Sequence, residues 1–158
     1  MKKVYSVIAV LLIVCSLCAC GKKSTKDPGI QAVADAVGAS IDISGMAQTP
    51  DDYVTGMMQI PLDGYKARNT LISGVGTNIN EYGIFLAKDK DQAASIKKAL
   101  ESYLDYREEL WMDEYLPEEK PKLDNAEVWQ QGNYVMYAIL SDADREAVHN
   151  AFQSCFEG

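Results

Sequence analysis

Residues 81–88, EYGIFLAK, and residues 133–140, NYVMYAIL, are the stretches on which the fold turns. Both are rich in aromatic and branched side chains, a composition that suits a pleated, half-buried surface. In the first, Tyr82, Ile84 and Leu86 share one face of a strand. Each stretch runs straight into a helix start. Asp89 and Gln92 form a capping-box pair ahead of Ala93, Ile96, Leu100, Tyr103 and Leu104; Ser141 and Asp144 do the same ahead of Ala147, Val148, Ala151, Phe152 and Cys155. Shifted by 52 positions, the segments superpose without a gap: Tyr134 on Tyr82, Tyr137 on Phe85, Ser141 on Asp89, Val148 on Ile96, Phe152 on Leu100. A fixed period of this kind marks internal duplication or pseudo-symmetry. Convergence is the other reading, since any strand-to-helix junction needs a cap and a β-prone strand.

Upstream of each strand lies a partner. Residues 126–131 (AEVWQQ) meet Tyr134 across Gly132-Asn133, a two-residue hairpin turn. Residues 66–73 (KARNTLIS) precede Glu81 through the glycine-rich loop 74–80 (GVGTNIN). Two ββα units, about 65–111 and 123–156, predict an α+β domain: a four-stranded antiparallel sheet with helices packed on one face. One or two short helices come first. Ile30, Val33, Ala34 and Val37 recur at helical spacing. Thr49-Pro50-Asp51-Asp52 then reads as a cap, a proline at the first helical position and acids in the first turn, with the helix running through Tyr53, Met57 and Met58.

The start of the chain is of another kind. Residues 1–20 read MKKVYSVIAVLLIVCSLCAC. Lys2 and Lys3 precede an apolar run that is too short to span a bilayer, which needs about 20 apolar residues. Leu17-Cys18-Ala19-Cys20 has the form of a lipobox, in which small residues let a peptidase reach the bond before an alkylated cysteine. Residues 1–19 are therefore expected to be a lipoprotein signal peptide, with Cys20 as the attachment point for diacylglycerol. Two acyl chains on one cysteine anchor stably, whereas one is marginal. An ordinary signal peptide or a transmembrane anchor is the competing reading. Residues 20–29 then form the lipidated cysteine and a polar tether, and residues 30–158 a single domain on the outer face of the cell membrane.

Charge and cysteine usage narrow the function classes. The chain carries −8 at pH 7; with Lys2 and Lys3 gone, the mature part carries −10. An acidic domain repels phosphate instead of releasing counterions from it, so nucleic acid is not an expected partner. Of the four cysteines, Cys15 and Cys18 leave with the leader and Cys20 is acylated, so Cys155 has no partner for an internal disulfide. It reads as a small buried hydrophobe.

The stretch from about Tyr53 to Phe156 resembles a domain of unknown function found in lipoproteins of Gram-positive anaerobes, chiefly clostridia. The residues that carry the likeness are Glu81 with Ile84-Phe85 and Lys88, Tyr115-Leu116-Pro117-Glu118, Asn125-Ala126, Gly132-Asn133-Tyr134-Val135 and Asp142-Ala143. The resemblance implies an extracytoplasmic lipoprotein of a Gram-positive cell and brings no activity, cofactor or catalytic residue with it.

Candidate sites are few. Asp89-Lys90-Asp91 fails the calcium-loop pattern, because Ala93, Ala94 and Leu100 stand where an acid or amide, a glycine and a glutamate are needed. The two acids suit a helix N-terminus. His149 is the single histidine, without metal-ligand spacing, and reads as solvated. Gly74-Val75-Gly76 lacks the lysine of a phosphate loop. No metal or cofactor is expected. Between Glu101 and Glu119, acids alternate with aromatic and aliphatic side chains, which reads either as a solvated acidic face on a core helix or as a candidate partner-binding patch of Tyr106, Trp111 and Tyr115, joined by Trp129 if it points outward. The expected role is a non-catalytic module that binds an envelope protein or a cell-wall ligand. The alternatives are a small hydrolase using carboxylates such as Asp113 and Glu114, or an accessory subunit of a transporter.

Overall fold

The structure is a computed structural model that describes residues 27–112 and 114–157. The leader, Cys20, most of the tether and Asp113 lie outside the described residues. Among the described residues, five strands form one sheet: β1 (Met46–Gln48), β2 (Ala67–Ser73), β3 (Glu81–Leu86), β4 (Glu127–Gln131) and β5 (Tyr134–Ile139). Their order is β1-β2-β3-β5-β4 and every neighbouring pair is antiparallel. The helices are α1 (Ile30–Gly38), α2 (Asp51–Gly56), α3 (Lys90–Glu109), α4 (Lys120–Asp124) and α5 (Asp142–Ser154).

The α+β class and both hairpins agree with the sequence reading. Gln131 pairs with Tyr134 across the expected turn, and Gly132 takes φ 59°, a left-handed conformation that strains any residue with a Cβ. Both caps are present as well: Asp89 accepts the Gln92 N–H at 2.8 Å and Ser141 accepts the Asp144 N–H at 3.2 Å.

Two expectations are corrected. The sheet has five strands, not four, because β1 adds to the open edge of β2 with Met46 opposite Ser73 and Gln48 opposite Leu71. Three residues are too few to show alternation, so only the pairing identifies the strand. Thr49, read as a helix cap, instead extends this edge by donating its N–H to the Thr70 carbonyl at 2.9 Å, and α2 begins after Pro50.

The second correction concerns the layers. Helices cover both faces of the sheet, not one. On the first face, Val33 and Val37 of α1 and Val148 and Phe152 of α5 pack on Tyr82, Ile84, Tyr134 and Met136. On the second, Val54 of α2, Ile96, Leu100 and Tyr103 of α3 and Leu123 of α4 pack on Phe85, Val135, Tyr137 and Ile139. Strands β3 and β5 are buried along their whole length. Successive residues point to opposite faces, so a strand covered on both sides must be apolar throughout. The unbroken run YVMYAIL has this character.

The 52-residue offset acquires a geometry. Ile84 and Met136, equivalent under it, are direct partners in the β3–β5 ladder. A two-fold axis perpendicular to the sheet therefore relates the two hairpins. The helices do not follow that axis, since α3 covers the second face and α5 the first. The equivalent positions Lys88 and Leu140 mark the divergence: Lys88 is exposed where the chain turns to the second face, and Leu140 is buried in the first-face core beneath α5.

Candidate functional site: a buried carboxylate and an exposed aromatic strip

Glu81 opens β3 and points to the second face, beneath α3. Its side chain is 0% exposed. An uncompensated carboxylate there would be very unfavourable, and the surroundings show how it is accommodated. Tyr103 Oη lies 2.9 and 3.0 Å from the two carboxylate oxygens, Tyr137 Oη donates at 2.6 Å, and Arg107 Nη1 donates at 2.8 Å. Tyr53 completes the set, with its Oη 2.6 Å from that of Tyr103 and 3.0 Å from Arg107 Nη1. Tyr103 and Arg107 are four apart on α3 and so share one helix face. The Tyr103 ring meets those of Tyr53 and Tyr137 edge-on, at centroid separations of 6.2 and 6.0 Å. Each Glu81 oxygen thus has at least two donor groups within hydrogen-bond reach, the single Tyr103 proton serving one oxygen at a time, and the network ties α2, α3, β3 and β5 together. A groove of about 320 Å³ between Gln59 and α3 reaches it through Tyr103 alone among the network's residues.

The phenols respond to this environment. Burial pushes Tyr82 up to about 12; burial, then the bond to Asp27, pushes Tyr134 up to about 12. Burial and then the Glu81 charge raise Tyr103 and Tyr137. A folded-state pKa above the unfolded value of about 10 means that the protonated phenol favours the fold. That contribution is complete below about pH 10 and is lost as pH rises through about 12. An ultraviolet titration should therefore show these four tyrosines ionising together with alkaline unfolding. Release of every tyrosine proton near pH 10, with circular dichroism intact, would contradict the burial of these four side chains.

The four residues expected to form a partner-binding patch do not assemble as one. Tyr106 is 43% exposed near the end of α3 and Tyr115 is 54% exposed in the loop beyond it; Leu110 at 56% and Met112 at 65% lie between them in sequence. Tyr115 Oη donates to the Gly76 carbonyl at 3.3 Å, which holds this loop against the β2–β3 loop. Trp111 turns inward against the second-face core, with its buried Nε1 lacking a hydrogen-bond partner among the described residues. Trp129 belongs to the other side of the sheet. It pairs with Met136, a first-face residue, and stacks on His149 at 4.5 Å and 9°. His149 is accordingly half-buried, not solvated, and its Nε2 lies 2.7 Å from Gln153 Nε2. Strand parity decides this separation, and adjacent apolar residues such as Val128 and Trp129 hide it in the sequence.

Of the acids, Glu114 is exposed. Asp105, Glu108 and Glu109 border a shallow depression on α3. Asp89 is used as a cap, which leaves the cap reading of Asp89 and Asp91 in place of a calcium loop. Cys155 is half-buried and its Sγ donates to the Ala151 carbonyl at 3.3 Å; burial pushes the thiol up. Among the described residues, no three His, Cys, Asp or Glu side chains converge as a metal site would require. The Glu81 network escaped the sequence reading. Its signal was an acid inside an apolar strand together with Tyr103 and Arg107 at helical spacing.

A family model for a domain of unknown function, DUF4358, matches residues 39–140. No curated protein and no solved structure matches the chain.

Proposed function

The chain belongs to the DUF4358 family, a domain of unknown function, and we propose that it is a lipid-anchored module of the cell envelope that works by binding a partner protein. The observation that carries this reading is the strip of Tyr106, Leu110, Met112 and Tyr115 left in water. The core does not need these side chains, because helices already cover both faces of the sheet. Apolar side chains left together in water favour association, and Tyr is among the residues enriched at binding hot spots. Glu108, Glu109, Glu114 and Glu118, all exposed, lie among and just after these residues in the chain, so the partner segment the strip suits is basic and apolar. An accessory role beside a transporter would use the same surface. The anchor rests on the leader and on Leu17-Cys18-Ala19-Cys20.

Photo-crosslinking from position 112 in intact envelopes tests the binding reading, with position 130 on β4 as the reference. The expected result is an adduct specific to position 112 that weakens with salt. It should fall by more than about tenfold when Leu110→Ala and Tyr115→Ala are combined, equivalent to about 1.4 kcal/mol. Adducts that are the same from both positions, or unchanged in the double variant, refute it. Metabolic labelling with a lipid precursor tests the anchor separately: label retained in Cys20→Ala refutes it.

A further inference from the structure

The end of the tether is not free. Tyr134 Oη donates to Asp27 Oδ1, which also accepts the Gly29 N–H at 3.0 Å. This clasp fixes where the tether leaves the domain. Tyr134 pairs with Leu86 at the end of β3, so the exit lies at the sheet end that carries the β4–β5 turn. From there α3 starts at Lys90 and runs back along the sheet to the Glu81 end, where Tyr103 and Arg107 reach that carboxylate. Its 20 residues, at about 1.5 Å each, span roughly 30 Å. Tyr106, Leu110, Met112 and Tyr115 lie at or beyond the far end.

We propose that the Asp27–Tyr134 clasp makes the β4–β5 turn the membrane-proximal end, so that the strip Tyr106–Tyr115 is the membrane-distal tip and meets a basic segment of a protein standing off the bilayer. This rests on the lipid anchor proposed above. Six residues, 21–26, separate Cys20 from Asp27, and the seven steps across them reach no more than about 25 Å. Charge acts in the same direction. Lys22, Lys23 and Lys26 lie in the tether, and Lys66 and Lys88 border the depression beside the clasp, where Asp27 itself and the acids at the start of α3, Asp89 and Asp91, offset part of this charge. Asp105, Glu108, Glu109, Glu114 and Glu118 are exposed in the last turns of α3 or the chain beyond it, with Lys120 beside Glu108. An anionic leaflet attracts the first group and repels the second. A partner buried among lipid headgroups would face the wrong end of the domain.

The test uses the full lipidated chain in phosphatidylcholine–phosphatidylglycerol vesicles that carry an acceptor dye on the headgroup. A donor dye is placed at Lys90→Cys or at Met112→Cys, each in a Cys155→Ala background. Quenching should be clearly stronger from position 90 than from position 112, and Tyr134→Phe should narrow the difference. Equal quenching, or stronger quenching from position 112, in a chain that floats with the vesicles overturns this orientation and leaves the anchor intact. A chain that does not float removes the anchor, and the orientation with it.

Discussion

Replacing Arg107 by methionine is expected to destabilise the domain by about 3–5 kcal/mol, the range found when one partner of a buried ion pair is removed. Arg107 Nη1 lies 2.8 Å from a carboxylate oxygen of Glu81, whose side chain is wholly inside the protein. Methionine fills much of the same space, so packing contributes little to the loss. What remains is a carboxylate in a low-dielectric interior with its cation gone. Tyr103 and Tyr137 still donate to it, but neutral phenols do not replace a full charge. Denaturant unfolding of the variant would give the figure directly. The double variant Arg107→Met with Glu81→Leu should recover part of the stability, because no charge is then stranded. A single variant within about 1 kcal/mol of the native chain would show that the network is not a structural support.

Gly83→Val should be the next most damaging change, costing about 3 kcal/mol or more through overpacking. Gly83 sits in the middle of β3 between Thr70 on β2 and Tyr137 on β5. A Cβ there would lie 2.6 Å from Thr70 Cγ2 and 2.6 Å from Tyr137 Cε1. Neither neighbour can retreat freely. Thr70 is buried, and the Tyr137 hydroxyl is committed to Glu81 at 2.6 Å. Any displacement of that ring therefore reaches the carboxylate network, which is why the expected cost lies at or above the top of the usual range for overpacking. Thermal unfolding and the alkaline tyrosine titration should shift together. A stable Gly83→Val with native tyrosine behaviour would mean that this close approach is relaxed in solution. Gly83→Ala should give the same effect in smaller measure.

The two long helices and both hairpins were legible in the sequence; β1, α4 and the layering were not. Asp89 with Gln92 and Ser141 with Asp144 announced the two long helices, and Gly132-Asn133 announced a hairpin, because caps and tight turns are local chemistry. Which face a helix covers is a tertiary choice. The run YVMYAIL carried the signal of double burial, but such runs usually belong to parallel sheets, and the hairpins pointed to an antiparallel one. Composition alone groups Trp129 with Trp111, but strand parity turns Trp129 to the first face while Trp111, beyond the end of α3, packs on the second. The sequence places Glu81 in a strand and among the residues that carry the family likeness, without showing what its carboxylate does. Its role depends on Tyr53, Tyr103, Arg107 and Tyr137, which lie up to 56 positions away in sequence.

The opposite placement of α3 and α5 has a consequence for how the chain can be divided. Each face of the sheet draws on both units: Ile84 from one and Met136 from the other share the first-face core, Phe85 and Val135 the second. The helix of each unit roofs a floor that the other unit half supplies. Neither ββα unit therefore owns a core, and the two strands at the centre of the sheet meet only after some fifty residues of intervening chain are in place. Closing that contact comes with a large loop-closure entropy and is rewarded on both faces at once. Whatever the ancestry of its two similar halves, the sheet they share is one indivisible folding unit.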